Sequence, residues 1–413
     1  MAASGAADDT NGRFWRFAGA GMLFQGGAAA VDSGTIIASL VHGLTGSPLA
    51  VGAASAVLRY GWLFPQLFVG YLAQRRARRM PFYAFGAFGR AGCLALIALL
   101  LGLTGGWAAG TVAVLFFVLW TAYAFVSGVV AVPYNDIIGR AISSHRRSRL
   151  LALRFFGGGV LALAVAAAAH ALLSTLEFRA GYAAVVLMAA LLMLVSSFSF
   201  VSAGEIAAEP RDEGGFGAYL GQGLKVFRGD ARFRRFVFSQ WLGGLVMMAL
   251  PFYVIQATEL IGSAAHVALL LAAHTAGALT ANALWGWWGD SFGKFSLYLG
   301  VAVLRGAPPL LVLCWSWLAT SAGLAPLPGF LALFVVLGAL STGTTIAIIG
   351  TLMEISPDDL RPAYSGYFNA IVAPAALLPL AGAAIVEIAS LEALFAVSLG
   401  GAALQTMLAR KLG

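Results

Sequence analysis

The stretches YAFGAFGRAGCLAL (residues 83–96) and YLGVAVLRGAPPLL (residues 298–311) each hold one arginine in an otherwise apolar run. Arg90 is the only charged residue between Met80 and Asn135, and Arg305 follows it after 215 positions. A charged side chain at the centre of a bilayer costs at least about 2.5–3.5 kcal/mol. Two such costs, at matching places in similar stretches, indicate a repeated membrane architecture.

The composition of the whole chain agrees with a membrane protein. Its 413 residues are 60% hydrophobic and 10% charged, whereas soluble proteins carry about 25% charged residues. A bilayer-spanning helix needs about 20 mostly apolar residues. This length predicts twelve spans, at residues 14–41, 50–73, 81–103, 108–137, 150–173, 180–203, 234–260, 265–288, 296–318, 327–352, 363–388 and 390–410.

The distribution of lysine and arginine predicts the orientation of these spans. With a cytoplasmic N-terminus, the cytoplasmic ends and loops hold 21 of the 25 basic residues. That side includes the cluster of Arg140, Arg146, Arg147, Arg149 and Arg154. Basic loops face the cytoplasm in membrane proteins, so we expect both termini there, in a cytoplasmic (inner) membrane. The clustering between apolar runs also speaks against a nucleic-acid partner.

Matching features about 215–219 positions apart predict two related halves. Phe14 and Phe17 correspond to Phe233 and Phe236, and Asp136 corresponds to Glu354. The expected fold is all-α, with twelve transmembrane helices in two pseudo-symmetric six-helix bundles. The bundles are expected at residues 1–203 and 234–413, joined by a cytoplasmic linker at 204–233. The linker either contains an amphipathic helix or is a plain solvated connector.

Several loop sequences resemble those of the major facilitator superfamily of secondary transporters. GYLAQRRARR (70–79) is similar to its loop between helices 2 and 3, and GWWGDSFGK (286–294) is the counterpart in the second half. VPYNDIIGRAISSHRRSRLLALRF (132–155) and SPDDLRPAYSGYFNA (356–370) look like its later cytoplasmic loops. The resemblance covers the whole chain and implies the fold, but it does not identify a subfamily or substrate.

The resemblance also implies a set of gating residues at these loops. One departure is Gln74, where the superfamily usually has an aspartate, while Asp290 keeps the acid in the second half. In the superfamily this carboxylate helps to hold the outward-open state by pairing with neighbouring charges. The corresponding contact in the first half is therefore expected to be weaker here. The implied gating residues are Gly70, Gln74, Arg75, Arg79, Asp136, Arg149, Gly286, Asp290, Glu354 and Arg361.

Five ionisable residues lie at one depth in the predicted spans: Asp32, Arg59, Arg90, His274 and Arg305. Each is nine residues from a span end, which is about 13–14 Å along a helix. Asp32 and Arg59 are natural partners on consecutive helices. One interpretation makes Asp32 a protonatable, proton-coupling carboxylate, with His274 as a possible relay; the other makes Asp32 and Arg59 a permanently charged structural pair.

Arg90 and Arg305 also have two interpretations. They brace their own bundles, or they hold an anionic substrate, since guanidinium groups suit carboxylates and phosphates. In the resembling superfamily the third and ninth helices usually lie outside the cavity, which favours bracing.

Further cavity candidates are polar or aromatic residues inside the spans. The set is Gln25, Arg59, Tyr60, Trp120, Tyr123, Gln240, Gln256, Asn282 and Asn369. His266, His274, Met247 and Met248 raise the alternative of a copper or other transition-metal transporter. Neither a cofactor nor a resident metal site is expected.

The sequence therefore predicts a secondary active transporter that moves a small organic solute by alternating access. An anionic or amphiphilic substrate and proton coupling are expected, and the transporter is expected to be a monomer. No metalloprotease, hydrolase or nucleotide-binding motif is present, so an enzyme is not expected. The alternative is a non-transporting assembly factor or sensor of the same fold.

Overall fold

The computed structural model describes residues 2–142, 144–207, 215–262, 265–356 and 361–412, which are almost entirely helical. The helices that come before residue 207 are α1 (Ala2–Ala30), α2 (Ile36–Thr45), α3 (Pro48–Gln74), α4 (Met80–Leu103), α5 (Ala109–Ala141), α6 (Ser144–Thr175) and α7 (Phe178–Ser202).

The remaining described residues form ten further α-helices and one short 3-10 helix, Ala373–Leu377. These α-helices are α8 (Phe216–Gly229), α9 (Ala231–Met247), α10 (Leu250–Ile261), α11 (Ala265–Ser291), α12 (Lys294–Leu304), α13 (Ala307–Ala322), α14 (Leu327–Ile355), α15 (Arg361–Val372), α16 (Leu378–Ile388) and α17 (Leu391–Ala409).

Ten helical stretches among the described residues are long and apolar enough to cross a bilayer. The other two predicted spans, 14–41 and 50–73, correspond to α1 with α2 and to α3. The chain is a multi-pass, all-α membrane protein, as predicted.

Four predicted spans are interrupted within their length. The interruptions lie at 31–35, 248–249, 305–306 and 373–377. The last three each precede or contain a proline near the start of the next helical segment. Proline lacks a backbone N–H and opposes the preceding helical turn. The first contains Asp32 and Ser33, whose side chains compete for backbone hydrogen bonds.

The chain divides into two compact units. The first comprises Met1–Asp32 and Val57–Glu213, and the second comprises Ser33–Ala56 and Gly214–Gly413. The predicted division into bundles at 1–203 and 234–413, joined by a linker at 204–233, stays a prediction.

Equivalent helices pack together within each unit. In the first unit α4 packs on α5 and α7, and α1 packs on α7. In the second unit α12 packs on α14 and α17, and α9 packs on α17. Each core contains a matching aromatic group: Phe14, Phe17 and Tyr83 in one, Phe233, Phe236 and Tyr298 in the other. The packing agrees with two related six-helix bundles.

A close helix crossing in the second unit depends on glycine. A Cβ atom at Gly338 on α14 would overlap the backbone carbonyl of His274 on α11, and one at Gly277 would overlap the carbonyl of Val335. Small residues allow such close approach between membrane helices.

We expect Gly338→Ala to lower thermal stability, because a backbone carbonyl cannot move aside as a flexible side chain can. Overpacking of this kind costs about 1–3 kcal/mol. The matched control is Gly400→Ala on α17, where nothing lies within 4 Å of the added Cβ. Thermal unfolding of both purified variants measures the difference; equal melting temperatures would contradict the tight crossing.

Candidate functional site

The first unit contains a cavity of about 430 Å³ among α1, α3, α4, α5, α6 and α7. Its wall carries three arginines, Arg59, Arg90 and Arg154, and no lining residue in the described part of the chain is acidic. The remaining lining residues are small, aromatic or neutral: Ala20, Gly21, Phe24, Leu58, Trp62, Tyr83, Tyr123, Ser127, Val130, Ala131, Tyr134, Asn135, Ser196 and Phe200.

Arg90 and Arg154 share one aromatic neighbour, Phe24. The guanidinium carbon of Arg90 lies 4.4 Å from the centre of the Phe24 ring, and that of Arg154 lies 5.8 Å from it. Cation–π contact of this kind stabilises a charge without neutralising it. Because both guanidinium groups lie against the same ring, the two positive charges are on one wall of the cavity.

Hydrogen bonding leaves part of both guanidinium groups unused. Arg154 donates from Nη1 to the Tyr134 hydroxyl at 2.8 Å. The Nε atoms of Arg90 and Arg154 are buried and have no hydrogen-bond partner. Buried polar atoms are normally paired, so these two Nε atoms leave hydrogen-bonding capacity of the arginines unused.

Arg59 and Asp32 belong to the first unit, and their charges interact. Asp32 lies in the interruption between α1 and α2, while Arg59 lies on α3 at the cavity wall. The expected pairing stays a prediction, and the proton-coupling and structural interpretations both stay open.

Arg305, in the second unit, has a different environment. Its Nη1 donates to Oε1 of Gln405 at 3.0 Å, and Nε2 of Gln405 donates to the Tyr298 hydroxyl at 3.4 Å. Nε2 of Gln240 donates to the same hydroxyl at 2.7 Å, and Ser239 lies 2.7 Å from it. These residues form a buried polar network, defined here as the Arg305 network.

The other predicted cavity residues fall in several environments. Tyr123 lines the cavity and stacks on the fully buried Trp120 at 4.9 Å, while Tyr60 stacks on Phe64 at 5.4 Å. Gln25 on α1 packs near Gly158, and Gln240 belongs to the Arg305 network. The rest lie on helices of the second unit: Gln256 and partly buried His274, together with the exposed Asn282 and Asn369.

Two of the implied gating residues, Arg79 and Asp136, belong to one compact ionic group. The buried Arg79 lies 3.4 Å from Asp136, which also pairs with Arg140 at 3.0 Å. Glu205 accepts hydrogen bonds from the backbone N–H groups of Arg79 and Met80, each at 2.8 Å. This carboxylate holds the N-terminus of α4, where negative charge is favoured.

The remaining gating candidates are more dispersed. Asp290 pairs with Lys294 at 2.7 Å. Arg75 lies 4.3 Å from the Tyr71 ring and Arg149 lies 5.9 Å from the Phe14 ring. Glu354 is exposed, and a Cβ atom at Gly70 or Gly286 would meet no atom within 4 Å. The side chains of Gln74 and Arg361 lie outside the described set.

Sequence reasoning missed Arg154, Tyr83 and Tyr134 as cavity residues. Arg154 was counted with the cytoplasmic basic cluster because it follows Arg146, Arg147 and Arg149 in the chain. In α6 it lies beside α1, where its side chain packs against Gly21. The available signal was its position inside the fifth predicted span, after the apolar residues 150–153.

The metal alternative rests on His266, His274, Met247 and Met248. Among the described residues, no group of three or more His, Cys, Asp or Glu side chains is arranged to hold a metal ion. The structure therefore adds no ligand cluster to that hypothesis.

Comparison with known proteins identifies the fold. No family model and no curated protein matches the sequence. The nucleoside transporter NupG superposes with a TM-score of 0.75 at 13% identity, over 97% of this chain and 98% of that one. The POT family transporter PepTSo gives 0.70 at 10% identity, over 97% and 98%. An inward-facing bacterial homologue of the iron transporter ferroportin gives 0.65 at 12% identity, over 97% and 98%.

These similarities extend over nearly the whole chain at very low identity, so they show the fold alone. The chain has the major facilitator fold, as the loop sequences predicted. Its subfamily is not defined by these comparisons.

Proposed function

We propose that this protein is a secondary active transporter that moves a small organic anion across the membrane by alternating access. The observation that carries the proposal is the first-unit cavity, with three arginines and no acidic residue among its described lining residues.

The electrostatics of this cavity favour an anionic ligand. A charge inside a membrane protein is costly unless it has a partner. Arg59 has Asp32 nearby, whereas Arg90 and Arg154 meet tyrosine hydroxyls and the Phe24 ring. A bound anion would supply the missing negative charge.

Solved structures that share this fold include a nucleoside transporter, a POT family peptide transporter and a bacterial homologue of the iron transporter ferroportin. Their low identity does not carry a substrate to this chain. They support transport as the general activity, and an enzymatic function is not proposed.

Proton coupling is proposed to depend on Asp32. Its carboxylate lies in a helix interruption and interacts with the cavity residue Arg59. Protonation of Asp32 would release Arg59 electrostatically and change the charge that the cavity presents to an anion. His274 remains a candidate relay, and the Arg79–Asp136 group remains a candidate gate.

The proposed setting is a cytoplasmic (inner) membrane with both termini in the cytoplasm, and the proposed active form is a monomer. Positive loop charge supports the orientation. The two predicted bundles, 1–203 and 234–413, are proposed to be the moving bodies, with 204–233 as the linker that contains α8.

Reconstitution in liposomes tests the proposal. Purified protein is expected to give substrate-induced currents or accumulation with some members of an organic-anion panel and none with their neutral amides. The expected currents change with an imposed pH gradient. Specific binding without translocation in any orientation or gradient would contradict transport and favour the non-transporting alternative.

A further inference from the structure

The tyrosine–arginine pair of the first unit is repeated in the second. Tyr83 and Arg90 are seven residues apart on α4, and Tyr298 and Arg305 are seven apart at the end of α12. Both arginines are buried, with 4% and 5% exposure. The tyrosine and the arginine therefore occupy equivalent positions in the two halves of the internal repeat.

The surroundings of the two pairs can be compared through the internal repeat. Phe14 and Phe17 of α1 match Phe233 and Phe236 of α9, a separation of 219 that pairs Ala20 with Ser239 and Gly21 with Gln240. On α7 and α17, a separation of 209 matches six buried positions: Val185/Leu394, Val186/Phe395, Ala189/Ser398, Met193/Ala402, Ser196/Gln405 and Phe200/Ala409.

These equivalences explain why a cavity lies beside Arg90 and not beside Arg305 among the described residues. Ser239, Gln240 and Gln405, which complete the Arg305 network, correspond to Ala20, Gly21 and Ser196. All three smaller residues line the first-unit cavity. The recess beside Arg305 has no room for a water-sized molecule, whereas the cavity beside Arg90 has a volume of about 430 Å³.

One exchange runs in the opposite direction and shapes the cavity. Phe24, which lies under Arg90, corresponds to Gly243, where an added Cβ would meet Nη1 of Arg305 at 2.6 Å and Nε2 of Gln405 at 2.7 Å. The absent side chain at Gly243 leaves room for Gln405. In the first unit the Phe24 ring occupies the position equivalent to Gly243, and the cavity extends to Ser196.

We propose that Arg90 and Arg154 hold the oxyanion head group of a ligand with an aromatic body, and that Arg305 is a structural brace. This inference rests on the proposed organic-anion function and specifies where the anion binds and its chemical class. The head group takes the place that the Gln405 side-chain amide has in the second unit. The aromatic body packs among Phe24, Tyr83 and Tyr123.

The size of the cavity agrees with this class of ligand. A cavity of about 150 Å³ holds one benzene ring, so the first-unit cavity has room for one or two rings and a head group. Carboxylates and phosphate monoesters both offer oxygens that suit guanidinium groups.

The test exchanges residues between the two units. Full-length protein is titrated calorimetrically with phenylacetate, phenyl phosphate and the neutral phenylacetamide. Ser196→Gln places in the cavity the side chain that partners Arg305, and we expect it to weaken anion binding roughly tenfold or more while Arg90 is retained. Ser202→Gln places the same side chain at the exposed end of α7, outside the cavity lining, and is expected to bind like the wild type. Gln405→Ser is expected to lower the melting temperature without changing anion affinity.

Binding of either anion but not the amide, lost in Ser196→Gln, supports the inference and tells which head group is preferred. Equal binding of the amide, no binding of either anion to the wild type, or full affinity in Ser196→Gln would overturn it. Transport that is indifferent to Ser196→Gln would contradict this site but not transport itself. Binding without transport would contradict the proposed function but not this site.

Discussion

Arg90→Gln is expected to abolish most anion binding and transport, while Arg305→Gln is expected to leave both near wild type. Arg90 offers the ligand a charged hydrogen-bond donor, and such a bond contributes about 1.5–3 kcal/mol. Its loss weakens affinity roughly 10- to 150-fold. Glutamine is shorter than arginine but polar, so the change removes the charge and keeps a polar side chain at this position.

Thermal stability should change in the opposite order, with the larger loss in Arg305→Gln. Arg305→Gln removes the donor that satisfies Oε1 of Gln405, and an unsatisfied buried polar group costs about 1–3 kcal/mol. Arg90→Gln removes a buried charge whose Nε has no hydrogen-bond partner, so the melting temperature should fall less than in Arg305→Gln. Calorimetric titration and thermal unfolding of both variants measure the two effects. A similar loss of stability in both, with no loss of affinity in Arg90→Gln, would make Arg90 a brace.

Asp32→Asn is expected to abolish transport driven by a pH gradient, because an amide cannot take up or release a proton. Exchange of anion between the two sides at equal pH requires no net proton movement and should continue. Fluorescent pH indicators inside proteoliposomes, read alongside anion uptake, separate the two activities.

The matched control for this variant is Glu392→Gln, which changes an exposed carboxylate in the first turn of α17. It should keep the pH dependence of the wild type. Unchanged pH dependence in Asp32→Asn would contradict proton coupling at this residue and leave Asp32 and Arg59 as a structural pair.

The fold was predictable because membrane topology is encoded locally. Apolar runs of spanning length, basic loops and the matches Phe14/Phe233 and Arg90/Arg305 were all readable from chain order. The helix interruptions were harder to predict. Pro65 and Pro133 lie within continuous helices, whereas Pro251 and Pro308 lie at the start of helices that follow interruptions. Proline alone did not distinguish these cases.

The candidate site was only partly predictable, for a physical reason. Arg90 and Arg305 have the same predicted depth and the same kind of flanking sequence. What separates them is the size of side chains on other helices, chiefly Ser196 opposite Arg90 and Gln405 opposite Arg305. That comparison needs the register of α7 against α17, which only packing supplies. The general expectation of bracing therefore suits Arg305, while the cavity points to a binding role for Arg90.

The most direct test of the account is a structure of the protein with 4-bromophenylacetate, in which the bromine locates the ligand independently of its shape. We expect the bromine to lie among the aromatic rings of the first unit and the carboxylate to lie within hydrogen-bonding distance of Arg90 and Arg154. A ligand at full occupancy beside Arg305, or in the first unit without contact to either arginine, would contradict it.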